Sequence, residues 1–125
     1  MIVSTVHKIE VTAETEFIEL ANQWLIALAQ LPGWVSGSLG RSVDEVDTWL
    51  IQQEWQDAGS CRRGLSASLL RPIAFAIAQS NISEISTFEQ LLIVTQSETK
   101  RFLSDRAVDA DTFSLSTNTK KDNEV

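Results

Sequence analysis

Between residues 48 and 56 the chain alternates with a period of two, placing Trp49, Ile51, Gln53 and Trp55 on one side and Leu50, Gln52 and Glu54 on the other. Only an extended strand sends every second side chain to one face, so this segment reads as a β-strand with an indole-rich face turned to a core. Such a strand needs neighbours. Residues 2–11 supply one, with Val3, Thr5, His7, Ile9 and Val11 opposite Ser4, Val6, Lys8 and Glu10. Residues 34–42 supply another, in which Gly37 and Gly40 suggest a bulge or the close approach of another backbone. The acidic segment 43–47 forms the turn that makes this segment and the indole-rich strand a hairpin, and residues 86–94 read as the last strand.

The intervening segments carry a helical period. Phe17, Leu20, Ala21, Trp24, Leu28 and Leu31 recur at three- and four-residue steps, which lays an apolar stripe along one side of a helix. Thr12 is placed to cap that helix, Glu14 and Glu16 sit near the positive end of its dipole, and Pro32 with Gly33 stops it. Asp57 is placed to cap a second helix running to about residue 70; Pro72 either breaks it or begins a further short helix through Ile77. The order strand, helix, strand, strand, helix, strand predicts an α+β, ferredoxin-like chain: a four-stranded antiparallel sheet with its helices on one face. Apolar residues on both strand faces, among them Val6, Leu39, Leu50, Leu92 and Val94, predict that the second face is covered by another copy, a homodimer packed sheet against sheet.

A chain of 125 residues buries one core, expected in residues 1–94. Residues 95–125 form a polar tail, read as a short amphipathic helix over 97–108 using Phe102, Leu103 and Val108, followed by disorder; contact with the partner subunit is the alternative for this tail. Eleven acids and five bases in residues 1–94, within a net charge of -7, argue against a nucleic-acid partner and for solubility. Cys61 is the sole cysteine and His7 the sole histidine, so no internal disulfide and no metal site are expected. No apolar run approaches the roughly 20 residues of a membrane span, and residues 1–8 alternate instead of forming a signal peptide's apolar block, so a cytoplasmic protein without membrane contact is expected.

The motifs LPGW (residues 31–34), GSLGRSVDEVDTWLIQQEW (37–55) and DAGSCRRGLSA (57–67) resemble the actinobacterial type of the antibiotic biosynthesis monooxygenase (ABM) domain family, over about residues 3–93. The matching positions are Pro32, Gly33 and Trp34 in the turn, Leu39 to Ser42 in the strand, Glu54 and Trp55 at the next strand's end, and the basic pair Arg62 and Arg63. The resemblance implies a dimeric α+β barrel with a ligand cavity between helices and sheet. It also implies a cofactor-independent monooxygenase acting on a small phenolic or polyketide-like aromatic. The family's haem-degrading members use an Asn, a Trp and a His at positions that fall on His7, Gly64 and Ala74, so that triad is missing and haem degradation is disfavoured. Its quinone-forming members use an Asn where this chain has Ile51, and only Trp55 carries over. The alternative is therefore a non-catalytic dimer that binds a small molecule or serves as a structural module.

Cofactor-free oxygenation needs a phenol that becomes an anion, a group that takes its proton, and a dry pocket. His7 is the side chain whose ordinary pKa lies near neutrality, and it stands on the apolar strand face; it reads as a core histidine bonded to a backbone carbonyl, or as base or ligand contact. Trp24, Trp34, Trp49 and Trp55 read as core or as an aromatic wall for a flat ligand. Arg62 and Arg63 read as surface charges, or as one surface charge and one partner for a phenolate or carboxylate. Cys61 has Arg62 beside it near a helix start, conditions that lower a thiol pKa, but no paired base is spaced for catalysis, and it reads as structural.

Overall fold

The computed structural model describes residues 1–104. The alternating segment forms the strand Thr48–Trp55 (β3), and all four residues of its predicted core face are buried. It pairs antiparallel on one side with Ile2–Lys8 (β1) and on the other with Trp34–Arg41 (β2). Thr87–Phe88 (β4) adds to the far side of β1, giving a four-stranded antiparallel sheet of order β2-β3-β1-β4. The predicted α+β, ferredoxin-like architecture is the observed one.

One face of this sheet carries the helices Glu14–Leu28 (α1), Ala58–Leu65 (α2) and Arg71–Ala78 (α3). Phe17, Ala21, Trp24 and Leu28 of α1 are buried, as the helical stripe requires. Thr12 does not cap α1: it lies in a 3-10 turn, Val11–Ala13, and the N-cap is Ala13, without a side-chain hydrogen bond. β1 ends at Lys8, so Val11 leaves the strand and is exposed. After α1 the chain reverses at Gly33, whose φ of 88° is open to glycine and strained for other residues. Asp57 caps α2 as expected, accepting the Ser60 N–H at 2.7 Å, which holds its carboxyl below the ordinary value. The predicted single helix from Asp57 to residue 70 is shorter, ending at Leu65; a 3-10 turn, Ser68–Leu70, then leads into α3, which Pro72 begins.

Gly37 is a close approach, because a Cβ there would stand 2.7 Å from Leu25 Cδ2 and from Trp34 Cζ2, whereas a Cβ on Gly40 would meet nothing within 4 Å. The bulge in β2 lies at neither glycine but between Trp34 and Ser36. It changes the phase of the strand, so Leu39 pairs with Ile51 and packs on the core, not on the outer face. Leu92 and Val94 also leave that face. The predicted strand 86–94 is divided, and Leu92–Val94 (β5) instead pairs with Thr99–Arg101 (β6) in a separate two-stranded hairpin. This hairpin belongs to a second unit, which begins at Glu89, and exposes Leu91, Leu92, Val94, Phe102 and Leu103. The helix expected over 97–108 is a strand at Thr99–Arg101; residues 105–108 of that reading, and the disorder expected after them, lie outside the described residues. No helix among the described residues is long and apolar enough to cross a membrane.

Candidate functional site

β1 directs His7 beneath the helices, where the side chain is 0% exposed. Two hydroxyls bracket its ring. Nδ1 shares a hydrogen bond of 2.9 Å with Ser80 Oγ, and Nε2 one of 2.8 Å with Thr5 Oγ1. A hydroxyl donates or accepts, so both neutral tautomers of the imidazole are satisfied. Burial, which penalises the charged ring, holds His7 below its ordinary pKa of 6.5. His7 is thus an unprotonated imidazole at neutral pH, paired with side-chain hydroxyls where a backbone carbonyl was the expected partner for a purely structural histidine.

Ser80 follows α3 and is fixed by main-chain bonds to β1: the Lys8 N–H donates to the Ser80 carbonyl at 3.1 Å, and the Ile82 N–H donates to the Val6 carbonyl at 2.8 Å. Ser80 also lines a cavity of about 390 Å³ between α1, α3 and the end of β1, walled by Ile9, Ala13, Phe17, Leu20 and Ala76 and rimmed by Lys8, Glu16 and Gln79. Phe17 joins this cavity to the core, its ring 5.3 Å from that of His7 and 5.8 Å from that of Trp49. Arg41 lies over the other side of the set, 5.3 Å from the Trp49 ring, and is anchored by Glu14 at 2.9 Å.

The other predicted site residues are dispersed. Trp55 is buried, and its Nε1 donates to Gln53 Oε1 at 3.0 Å. Trp24 is buried in the core, and Trp34 is half-buried opposite Trp55. None of Trp24, Trp34, Trp49 and Trp55 lines the cavity beside Ser80. Trp49 instead contributes to a second pocket of about 340 Å³ with Val6, Gly40, Arg41, Ser42, Thr48 and Leu50. Arg62 and Arg63 are both exposed on α2 and line neither space. Cys61 is buried, and desolvation pushes its thiol up in spite of the neighbouring Arg62, reversing the expected direction. Among the described residues no group of three or more His, Cys, Asp and Glu is placed to hold a metal ion.

Sequence reasoning missed Ser80 and Thr5. Thr5 had a signal, since it stands two residues before His7 on the same strand face; Ser80 lies 73 residues away and had none.

No protein-family model matches the sequence, and no curated protein matches it. Solved structures do. SnoaB, a cofactor-independent oxygenase from Streptomyces nogalater, is 23% identical with a TM-score of 0.63, over 78% of this chain and 95% of its own. A protein from Deinococcus radiodurans, named as a candidate antibiotic biosynthesis monooxygenase, is 14% identical with a TM-score of 0.64, over 76% of this chain and 97% of its own. A conserved protein from Methanosarcina mazei Go1 is 14% identical with a TM-score of 0.58, over 66% and 82%. The chain therefore has the ferredoxin-like α+β fold of the antibiotic biosynthesis monooxygenases.

Proposed function

We propose that the protein is a cofactor-independent monooxygenase that oxidises a small phenolic or polyketide-like aromatic, held in the cavity between α1, α3 and β1, with His7 as the proton-accepting group. The observation that carries this reading is the buried His7, bonded to the Ser80 hydroxyl of the cavity wall and held below its ordinary pKa by burial. In such a reaction the phenol loses its proton and passes electrons from its ring to dioxygen. One oxygen atom enters the ring as a carbonyl and the other leaves as water, so the substrate supplies all the electrons. The protein supplies a base and a cleft with apolar walls, here Ile9, Phe17, Leu20 and Ala76. Trp55 belongs to the buried core in this reading and does not line the cavity, while Arg62 and Arg63 stay at the surface of α2. The test is dioxygen uptake with 1-naphthol and hydroxyanthrones. Uptake above the uncatalysed rate, lost in a folded His7→Gln variant, is the expected result; uptake at the uncatalysed rate sinks the reading.

A second reading, binding without turnover, is favoured by one observation: Ile51, where the quinone-forming members carry an Asn, is buried apolar core. A phenol that raises the melting temperature without dioxygen uptake would select it.

The homodimer is part of the same proposal. The outer sheet face pairs Val6 with Leu50 and Ile2 with Phe88, and Leu50 and Phe88 are exposed. Ser36, Ser38, Gln52 and Glu54 share that face, so the interface is mixed in polarity. Sedimentation at micromolar concentration that returns only monomer rejects it.

A further inference from the structure

His7 cannot touch a molecule in the cavity, because its side chain is fully enclosed. Ser80 lines the wall, and its hydroxyl is bonded to the His7 ring. Thr5 closes the other end of the same chain of hydrogen bonds. We propose that Ser80 is the residue that contacts the phenolic oxygen, and that Ser80, His7 and Thr5 form a relay that takes the phenolic proton. The inference rests on the oxygenase reading for its substrate class, and deepens it by naming the contact.

The relay follows from the donor and acceptor count. With the His7 Nε2–H donating to Thr5 Oγ1, Nδ1 accepts the Ser80 O–H, and a lone pair of Ser80 Oγ is left to accept a substrate O–H. As the phenolic O–H bond breaks, its proton goes to Ser80 Oγ while the former Ser80 proton goes to Nδ1. The products are a phenolate, a serine hydroxyl that now donates to it, and an imidazolium whose two N–H groups donate to Ser80 and Thr5. One anion and one cation are formed, so the total charge is unchanged. The Ser80–His7 separation of 2.9 Å is a hydrogen-bonding distance for the transfer to Nδ1, and the 2.8 Å bond to Thr5 holds the ring from its other side. Burial disfavours a solitary imidazolium, so the ring is a base before the ligand arrives and becomes a cation only with a phenolate one hydroxyl away.

Thr5 is a positioning residue in this scheme: in the tautomer that leaves Nδ1 open, it accepts from Nε2 and holds the ring toward Ser80. Lys8, the other ionisable donor of the cavity rim on β1, is engaged by Asp47 at 3.2 Å and Thr48 at 2.9 Å. Glu16 on α1 is an exposed acid of the same rim. Neither is connected to the His7 ring.

The probe is p-nitrophenol, whose ionisation is read by absorbance without any oxidation step. At a pH where the free probe is mainly protonated, the native protein is expected to bind it as the phenolate, with both His7 ring nitrogens becoming protonated in 15N NMR. Ser80→Ala is expected to lower the bound phenolate fraction about tenfold, one pKa unit, and Ser80→Thr to restore it. Thr5→Val is expected to change the tautomer of His7 in the ligand-free protein. A phenolate undiminished in Ser80→Ala, a His7 ring that stays neutral when the phenolate forms, or no binding of the probe overturns the relay. Dioxygen uptake that persists in Ser80→Ala also overturns the relay while leaving the oxygenase reading standing. Ionisation as expected with no uptake for any oxidisable phenol defeats the oxygenase reading alone.

Discussion

Gly64 of α2 lies against the indole of Trp55: a Cβ added at Gly64 would stand 2.7 Å from Cζ3, with Cη2 nearer still. Trp55 is only 1% exposed and is tied to Gln53, so a shift of the ring disturbs buried packing and that hydrogen bond. Gly64→Ala is therefore expected to destabilise the fold by about 1–3 kcal/mol, the usual range for overpacking a core. Gly40→Ala is the internal contrast, because its added methyl meets nothing. Urea denaturation of the two variants should separate them, and equal midpoints would show that Trp55 moves aside.

The Trp55–Gln53 pair gives a second expectation. Both side chains are buried, and they share a hydrogen bond of 3.0 Å. Trp55→Phe leaves the Gln53 oxygen without its donor, at a cost of about 1–3 kcal/mol in addition to lost packing. In a Gln53→Met background there is no orphaned oxygen, so the same substitution should cost less by about 1 kcal/mol. A double-mutant cycle with no coupling would mean that the bond contributes nothing net.

The period of β3 made its core face legible, and Pro32–Gly33 and Asp57 marked their turn and cap, because each is a local signal. Leu39 was misread for a physical reason. Counting by twos from Trp34 puts residue 39 on the opposite face, and the bulge between Trp34 and Ser36 reverses that phase; no residue type announces the bulge. The division of 86–94 was hidden as well, since Leu92, Ile93 and Val94 suit any strand and their choice of β6 over β1 is a tertiary outcome. His7 was found by its chemistry and its face. Its partner Ser80 comes from the chain after α3, and only the folded sheet brings the two together.

Cys61 provides a third test. It faces the core with 1% of its surface exposed, and desolvation raises its thiol pKa even with Arg62 adjacent. Reaction requires the thiolate and access to it. Native protein should thus react with a disulfide reagent only at the rate at which it opens, with full modification on addition of denaturant. Stoichiometric labelling within the mixing time would contradict the buried placement.

The last expectation concerns pH and comes from His7. Its folded pKa lies below the ordinary 6.5, so as pH falls the unfolded chain takes up a proton before the folded chain does. By linkage, the stability contributed by the neutral buried ring is fully present above about pH 6.5 and is lost as pH falls from there through the folded pKa, with a limiting slope of about 1.4 kcal/mol per pH unit for one proton. Asp47 and Asp57 are also held below their ordinary value of 3.8, but their contributions are lost at a lower pH, so they do not overlap the upper part of this window. Urea unfolding at about pH 7.5 and about pH 5.5 should show lower stability at the acidic value, and His7→Gln, which cannot titrate, should abolish most of the difference. If native and variant protein lose stability in parallel, the imidazole is not the titrating group, and the enclosed, hydroxyl-bracketed placement of His7 would have to be abandoned along with the role argued for it.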